Sequence, residues 1–335
     1  MMSKFSQILT LLERPRARRT NIFSNGMKRI LTRIKPYVRW FIWGGILFYL
    51  IKTLKDRLAE VAAVRVDGHS WTLLAIALFI TIAAHVWSGW VWTWILAVFK
   101  QPLTGKEGIR VYLLTNIFKY SPGNIWHFWG RITAVSKKGG SKGAATLSVL
   151  LEPLLMAAAA LFVAIVSSAS SGAIDFRGGF WLQLAGLVAI LIGIQPRILN
   201  TLLHRLSRSK NKADATAAIA VKLETYPLIP FLGEIGFVIF RGIGFILTFT
   251  ALQSIAWQQI PQLFTAFSFA WLLGLIVPGA PGGLGVFEAT AYGLLDNSQF
   301  PTEIAAVALY RLISILAEAI AAIVCLKGGS TVIRK

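Results

Sequence analysis

The chain has few charged residues and very few acidic ones. Only 14% of its 335 residues are charged, whereas soluble domains carry about 25%. Asp and Glu number 14 against 34 Lys and Arg. A chain of this length would form about two or three soluble domains, and so few polar residues are too few to cover them. The composition therefore excludes a soluble enzyme, a secreted domain and a disordered scaffold.

Cysteine and histidine are also scarce. Cys325 is the sole cysteine, so no internal disulfide can form. The four histidines are far apart and lack the spacing of metal ligands. We therefore expect neither a metal ion nor another cofactor.

Long apolar runs dominate what remains, with 56% hydrophobic residues and a mean hydropathy of +0.64. A membrane span needs about 20 apolar residues. Six runs qualify, and they cover 37–54, 71–99, 144–168, 179–199, 228–252 and 303–326. A basic tail (1–36) precedes this membrane domain (37–326), and a short tail (327–335) follows it. The sequence predicts an all-α polytopic membrane protein.

Two further apolar segments are interrupted and cannot continue as single helices. Residues 109–131 contain Ser121-Pro122-Gly123-Asn124, and residues 261–296 contain the stretch Pro278–Gly285. Proline removes a backbone donor and glycine disfavours helix. Irregular backbone at membrane depth survives only inside protein or beside water. We therefore expect two re-entrant helical hairpins.

The distribution of basic residues predicts the topology. Of the 34 Lys and Arg, 26 lie in the segments 1–36, 100–142, 197–224 and 327–335, and only 5 lie in the alternating segments. The positive-inside rule then places both termini in the cytoplasm. The two interrupted segments enter from opposite sides, so the halves 71–168 and 228–326 form an inverted repeat. Such paired interruptions point to a transporter site near the middle of the membrane.

Ionisable residues within apolar runs are functional candidates by default. Arg241 and Arg311 fall at similar depth in antiparallel spans, and two guanidinium groups at one level suit a phosphate. The glycine-rich turn adds free backbone amides, which also favour anions. Alternatively, the arginines pair with nearby glutamates and only tie helices together, or a glutamate relays protons. Arg131 either contacts substrate or satisfies its own turn.

The two interrupted segments also carry a family resemblance. The stretch PGAPGGLGVFEA (Pro278–Ala289) resembles the C-terminal signature of the lysylphosphatidylglycerol synthase/flippase transmembrane family. The stretch TNIFKYSPGNIWHFWGR (Thr115–Arg131) resembles its N-terminal signature, and Glu152 follows in the next span. The likeness covers roughly residues 40–326 and departs from the family pattern at Asn124 and Pro153.

What the resemblance implies is lipid translocation without the soluble aminoacyltransferase domain of larger members, and hence no enzyme activity. The expected cargo is an anionic phospholipid or a lipid-linked saccharide. The candidate substrate-binding residues are Asn116, Pro122, Gly123, Asn124, Arg131, Glu152, Glu234, Arg241, Pro278, Gly279, Pro281, Gly282, Gly283, Gly285, Glu288, Arg311 and Glu318.

Two other functions remain open at this stage. One is a non-transporting lipid-binding subunit that assists a glycosyltransferase or lipid-modifying enzyme, and the other is an ion-coupled exporter of small solutes. The expected location is the bacterial inner membrane. The expected partners are anionic membrane phospholipids rather than nucleic acid, and a lipid-modifying enzyme or a second copy of the chain are further candidates.

Overall fold

A computed structural model describes residues 67–103, 105–120, 125–170, 179–201, 222–277, 281–295 and 300–327. Within these ranges the regular structure is helical and contains no β-strand, which confirms the all-α prediction for this part of the chain. The predicted basic tail 1–36, the span 37–54 and the residues after Lys327 lie outside the described residues. So do the candidate site residues Pro122, Gly123, Asn124, Pro278 and Gly279.

The principal helices divide into long and short ones. In chain order they are α1 (Gly68–Val98), α2 (Gly105–Asn116), α3 (Trp126–Lys137), α4 (Lys142–Ser170), α5 (Gly179–Gly193), α6 (Leu228–Leu252), α7 (Ile260–Ile276), α8 (Val286–Leu294) and α9 (Phe300–Lys327). Short 3₁₀ turns at Ile117–Tyr120, Trp257–Gln259 and Pro281–Gly283 connect some of them.

Within the described ranges, five helical stretches are long and apolar enough to cross a membrane. Four of them lie in α1, α4, α6 and α9 and coincide with predicted spans. The fifth covers Trp257–Ile276, which is α7 with the 3₁₀ turn before it. The chain is therefore a multi-pass membrane protein.

The predicted number of six spans is not confirmed. The predicted span 179–199 is interrupted by a turn at 194–195, so that α5 has only 15 residues. Conversely, the 20 residues Trp257–Ile276, which we expected to form one arm of a re-entrant hairpin, are long enough to cross. At 1.5 Å per residue they extend about 30 Å, the thickness of the hydrocarbon core.

The start of α1 is fixed by Asp67, which lies just outside the apolar run. Its Oδ1 accepts a hydrogen bond from the Ser70 backbone N–H over 2.8 Å, and so caps one of the free donors of the first turn. The same hydrogen bond holds the pKa of the Asp67 carboxyl below its ordinary value.

Aromatic and small side chains hold the long helices together. α6 lies along α1 and also contacts α4, α7 and α9. At its centre, Phe245 packs against Phe267, Phe287 and Tyr310 with ring centroids 5.2 to 6.1 Å apart. α4 presents the buried run Ala157–Ala160, and small residues let membrane helices approach closely.

Both interrupted segments have the expected break between two helices. α2 and its 3₁₀ turn end at Tyr120 and α3 begins at Trp126, while α7 ends at Ile276 and α8 begins at Val286. In each half of the chain, two such shorter helices stand between two long ones. The two breaks also meet, because the space beside Gly282 Cα is filled by the Tyr120 ring.

Candidate functional site

A cavity of about 370 Å³ lies where the two interrupted segments meet the long helices. This volume falls within the range of small-molecule sites. Polar, charged and glycine residues from both halves of the chain line the cavity. They are His85, Asn116, Lys119, His127, Arg131, Glu152, Arg241, Gly274, Gly282, Gly283, Arg311 and Glu318. The sequence alone could not show that residues from the two halves of the chain line the same cavity.

Arg241, on α6, reaches this cavity from the middle of the membrane domain. Its Nη1 lies 3.0 Å from His85 Nε2, and its guanidinium lies over the Tyr310 ring, 5.4 Å from the centroid. The Tyr310 hydroxyl donates to the Arg241 backbone carbonyl, which fixes this turn of α6 against α9. Among the described residues, no carboxylate lies within ion-pair distance of Arg241.

Arg311, on α9, supports the glycine-rich turn. Its Nε donates to Glu288 Oε1 over 3.2 Å, and its Nη2 donates to the Gly282 carbonyl over 2.9 Å. Glu288 in turn accepts the Gly285 N–H with its other oxygen, over 2.7 Å. Arg311 therefore lines the cavity and at the same time ties the turn to α8 through Glu288.

The glycines of this turn are required by its geometry. Gly282, Gly283 and Gly285 all have positive φ, at 60°, 73° and 83°, a region in which residues with a side chain are strained. Gly283 also lies so close to the Gly274 backbone that a Cβ would come within 2.9 Å of the Gly274 carbonyl oxygen. Gly282 and Gly283 line the cavity, whereas Gly285 and Glu288 stand behind it and hold the turn.

The first half of the chain contributes a buried ion pair. Arg131 Nη1 donates to Glu152 Oε2 over 2.5 Å, and the two side chains are 2% and 3% exposed. The Arg131 guanidinium also lies over the Tyr112 ring, 3.8 Å from its centroid. Pro153, in the middle of α4, lines the cavity beside this pair.

The two halves are joined by Lys119 and Glu318. Lys119, in the first 3₁₀ turn, donates to Glu318 Oε1 on α9 over 2.6 Å, and His85 Nε2 lies 3.4 Å from the same oxygen. His85 therefore lies between Glu318 and Arg241. His85 was not among the site residues predicted from the sequence, although a polar residue inside an apolar span is a candidate for a functional role.

Glu234 differs from the other candidate glutamates. It is completely buried on α6, it does not line the cavity, and both of its carboxyl oxygens lack a hydrogen-bond partner among the described residues. The structure therefore places Glu234 behind the cavity wall.

One side of the cavity reaches the exposed surface of α4. Leu150 and Leu154, one turn apart on α4, line the cavity and are nevertheless 53% and 42% exposed. Because α4 has the length and composition of a membrane span, this exposed face lies at membrane depth. The described part of the cavity is thus lined by charged residues and also by two apolar leucines, Leu150 and Leu154, where it reaches the outer surface of the helices.

A scan against models of known protein families finds no match for this chain, and a comparison with curated proteins finds no relative. The resemblance to the flippase family stays a prediction that rests on the two motifs. Within the described residues, no group of three or more His, Cys, Asp or Glu side chains is placed to hold a metal ion.

Proposed function

We propose that this protein translocates an anionic phospholipid or a lipid-linked saccharide between the leaflets of the bacterial inner membrane. One observation carries the proposal: basic side chains from both halves of the chain converge on a cavity that reaches the lipid-facing surface of α4 at Leu150 and Leu154. A headgroup can enter such a cavity from the side while its acyl chains stay in the bilayer.

The charges around the cavity favour a phosphate group. Arg241 has no carboxylate partner among the described residues, and guanidinium groups bind phosphate through two parallel hydrogen bonds. Arg241 is the proposed anchor for the phosphate. Arg311 is already engaged by Glu288 and Gly282, so its proposed role is to position the turn beside that anchor.

The proposed architecture has six spans, two opposed re-entrant hairpins and both termini in the cytoplasm. The order of two short helices between two long ones in each half supports an inverted repeat. The contact between the breaks at Tyr120 and Gly282 supports hairpins whose tips meet inside the membrane. Membership of the flippase-like family is part of the same proposal.

One observation favours a second function, that of a lipid-binding subunit which does not transport. Three of the basic residues around the cavity already contact a carboxylate, as Arg131 does with Glu152, Lys119 with Glu318 and Arg311 with Glu288. Such pairs tie helices together without any cargo. A transport assay separates the two functions.

The assay uses liposomes that contain the purified protein and fluorescent phosphatidylglycerol, with dithionite added outside to quench accessible label. Translocation is expected to carry label from the inner leaflet outward, so that quenching passes the outer-leaflet fraction. Removing a charge-assisted hydrogen bond costs about 1.5–3 kcal/mol. Arg241→Ala should therefore slow this phase about ten- to a hundredfold.

Arg197→Ala is the matched control, since Arg197 is exposed and does not line the cavity. It removes the same charge and should leave the quenching phase unchanged. Quenching that stops at the outer-leaflet fraction, with and without a proton gradient, would reject translocation of phosphatidylglycerol and favour the lipid-binding subunit.

A further inference from the structure

The charged residues around the cavity form an almost complete set of pairs. The described set contains four basic residues, Lys119, Arg131, Arg241 and Arg311, and four buried glutamates, Glu152, Glu234, Glu288 and Glu318. Glu152 contacts Arg131, Glu288 contacts Arg311 and Glu318 contacts Lys119, over 2.5 to 3.2 Å. Glu318 also lies 3.4 Å from His85. Glu303, in the first turn of α9, is the other buried acid in the described ranges and does not line the cavity.

Arg241 and Glu234 are left over from this pairing. Arg241 contacts His85 but no carboxylate among the described residues, and its Nε is a buried donor with no acceptor. Neither carboxyl oxygen of Glu234 has a hydrogen-bond partner in the part of the chain that the structure describes. Both lie on α6, seven residues apart, which puts them on one face of the helix about 10 Å apart along its axis.

Burial determines the protonation state of Glu234 when its carboxyl group has no partner. An ionised carboxylate in an apolar interior is strongly disfavoured unless a positive charge compensates it, and it takes up a proton instead. The same reasoning applies to Arg241, which keeps its proton and therefore needs an anion. When Glu234 holds a proton, the positive charge of Arg241 therefore has no negative charge to compensate it.

We propose that Glu234 is a proton-binding site that is coupled to the anion site at Arg241, so that one proton and one anionic phosphodiester bind together. With Glu234 ionised, the eight residues have no net charge. With Glu234 protonated, they carry one positive charge, which a phosphodiester monoanion neutralises. This inference rests on the proposed function and adds a coupling ion to it.

The neighbours of Glu234 set the direction of the coupling. Of the charged and titratable groups that line the cavity, those on helices packed against α6 are His85 on α1, Glu152 on α4, and Arg311 and Glu318 on α9. Tyr310 on α9 also contacts Arg241. Arg131 on α3 pairs with Glu152, and Tyr112 on α2 lies under the Arg131 guanidinium. Glu152 and Arg131 form an ion pair with each other, so each of these two charges is already compensated. An anion at Arg241 adds negative charge, which favours the protonated form of Glu234. By linkage, protonation favours the anion, and binding weakens as the pH rises.

Calorimetry of lipid binding tests this coupling directly. The full-length protein in detergent is titrated with dihexanoyl phosphatidylglycerol in buffers of different ionisation enthalpy, which yields the number of protons taken up per lipid. At a pH above the transition of Glu234 in the lipid-free protein, we expect the wild type to take up about one proton per lipid. Below that transition Glu234 already holds its proton, and no uptake is expected. Above the Glu234 transition, the affinity should fall about tenfold per pH unit. Glycerophosphoglycerol, the same phosphodiester without acyl chains, is titrated in parallel: equal binding would show that the site recognises the phosphodiester alone, and binding of the lipid only would show that the acyl chains are required.

Glu234→Gln imitates the protonated form, so it should bind the lipid without proton uptake and with an affinity that does not depend on pH. Glu224→Gln is the control, since Glu224 forms an exposed pair with Lys100, and it should retain the uptake. Arg241→Gln should lose both lipid binding and proton uptake, and it provides a second variant if Glu234→Gln does not fold.

Each result supports or overturns the coupling. Lipid binding by the wild type that takes up no proton at any pH, with an affinity that does not depend on pH, overturns it and leaves lipid translocation standing. Unchanged uptake in Glu234→Gln assigns the proton to another group and also overturns it. An absence of both lipid binding and translocation in the wild type rejects the proposed function, and the coupling with it.

Discussion

Arg131 and Glu152 form an ion pair across 2.5 Å between α3 and α4, with 2% and 3% of their side chains exposed. Removing one partner leaves a buried charge without compensation, which costs about 3–5 kcal/mol. Arg131→Ala and Glu152→Ala should each destabilise the protein by that amount. The double replacement Arg131→Ala with Glu152→Ala should cost less than the sum of the single changes, as a double-mutant cycle of unfolding in detergent would measure.

The exposed pair Lys138–Glu107 provides the comparison for that cycle. Its side chains are 38% and 46% exposed, and exposed pairs contribute at most about 1 kcal/mol. If Arg131→Ala were no more destabilising than Lys138→Ala, the ion pair would not contribute to the stability of the membrane domain.

The cavity reaches the exposed surface of α4 at Leu150 and Leu154, so the size of the side chain at Leu154 should affect the rate of translocation. A tryptophan there should fill the lipid-facing side of the cavity and slow translocation severalfold in the dithionite assay, without loss of stability. Leu182→Trp on α5 is the matched control, because Leu182 is 76% exposed and does not line the cavity. Equal rates for the two variants would mean that the headgroup does not pass Leu154.

Local signals in the sequence predicted much of the fold. Apolar length found α1, α4, α6 and α9, and the proline and glycine stretches found both breaks. These features depend on residues close together in the chain. The span count was less secure, because a turn at 194–195 shortened α5 and no single residue distinguishes a crossing α7 from a re-entrant one.

The partners within the site could not be predicted in the same way. Heptad spacing put Arg241 and Glu234 on one face of α6, but it did not show that Arg241 contacts His85, 156 positions away. Likewise Lys119 contacts Glu318 across 199 positions. Which charges pair depends on how the helices pack, and several glutamates were equally available as partners of each arginine.

The glycine-rich turn makes a prediction about backbone strain. Gly282→Ala places a side chain at φ 60° and against the Tyr120 ring. The left-handed conformation alone costs about 1–2 kcal/mol, and the contact adds to it. Gly293→Ala is the control in open space within α8, where alanine should stabilise the helix by up to about 1 kcal/mol. Tyr120→Ala should rescue part of the loss in Gly282→Ala and none in an unrelated variant, as thermal unfolding would show.

The last prediction decides whether α7 crosses the membrane or turns back. In a Cys325→Ala background, single cysteines replace Gln258, Leu294 and Lys138, three exposed positions, and a membrane-impermeant maleimide is applied from each side. A re-entrant segment places Gln258 and Leu294 on the same side, opposite Lys138. If α7 crosses, Leu294 must react from the side of Lys138, because the nine residues of α8 extend only about 14 Å and cannot return through the bilayer. Labelling of Leu294 together with Lys138 would therefore exclude the second hairpin and, with it, the inverted repeat.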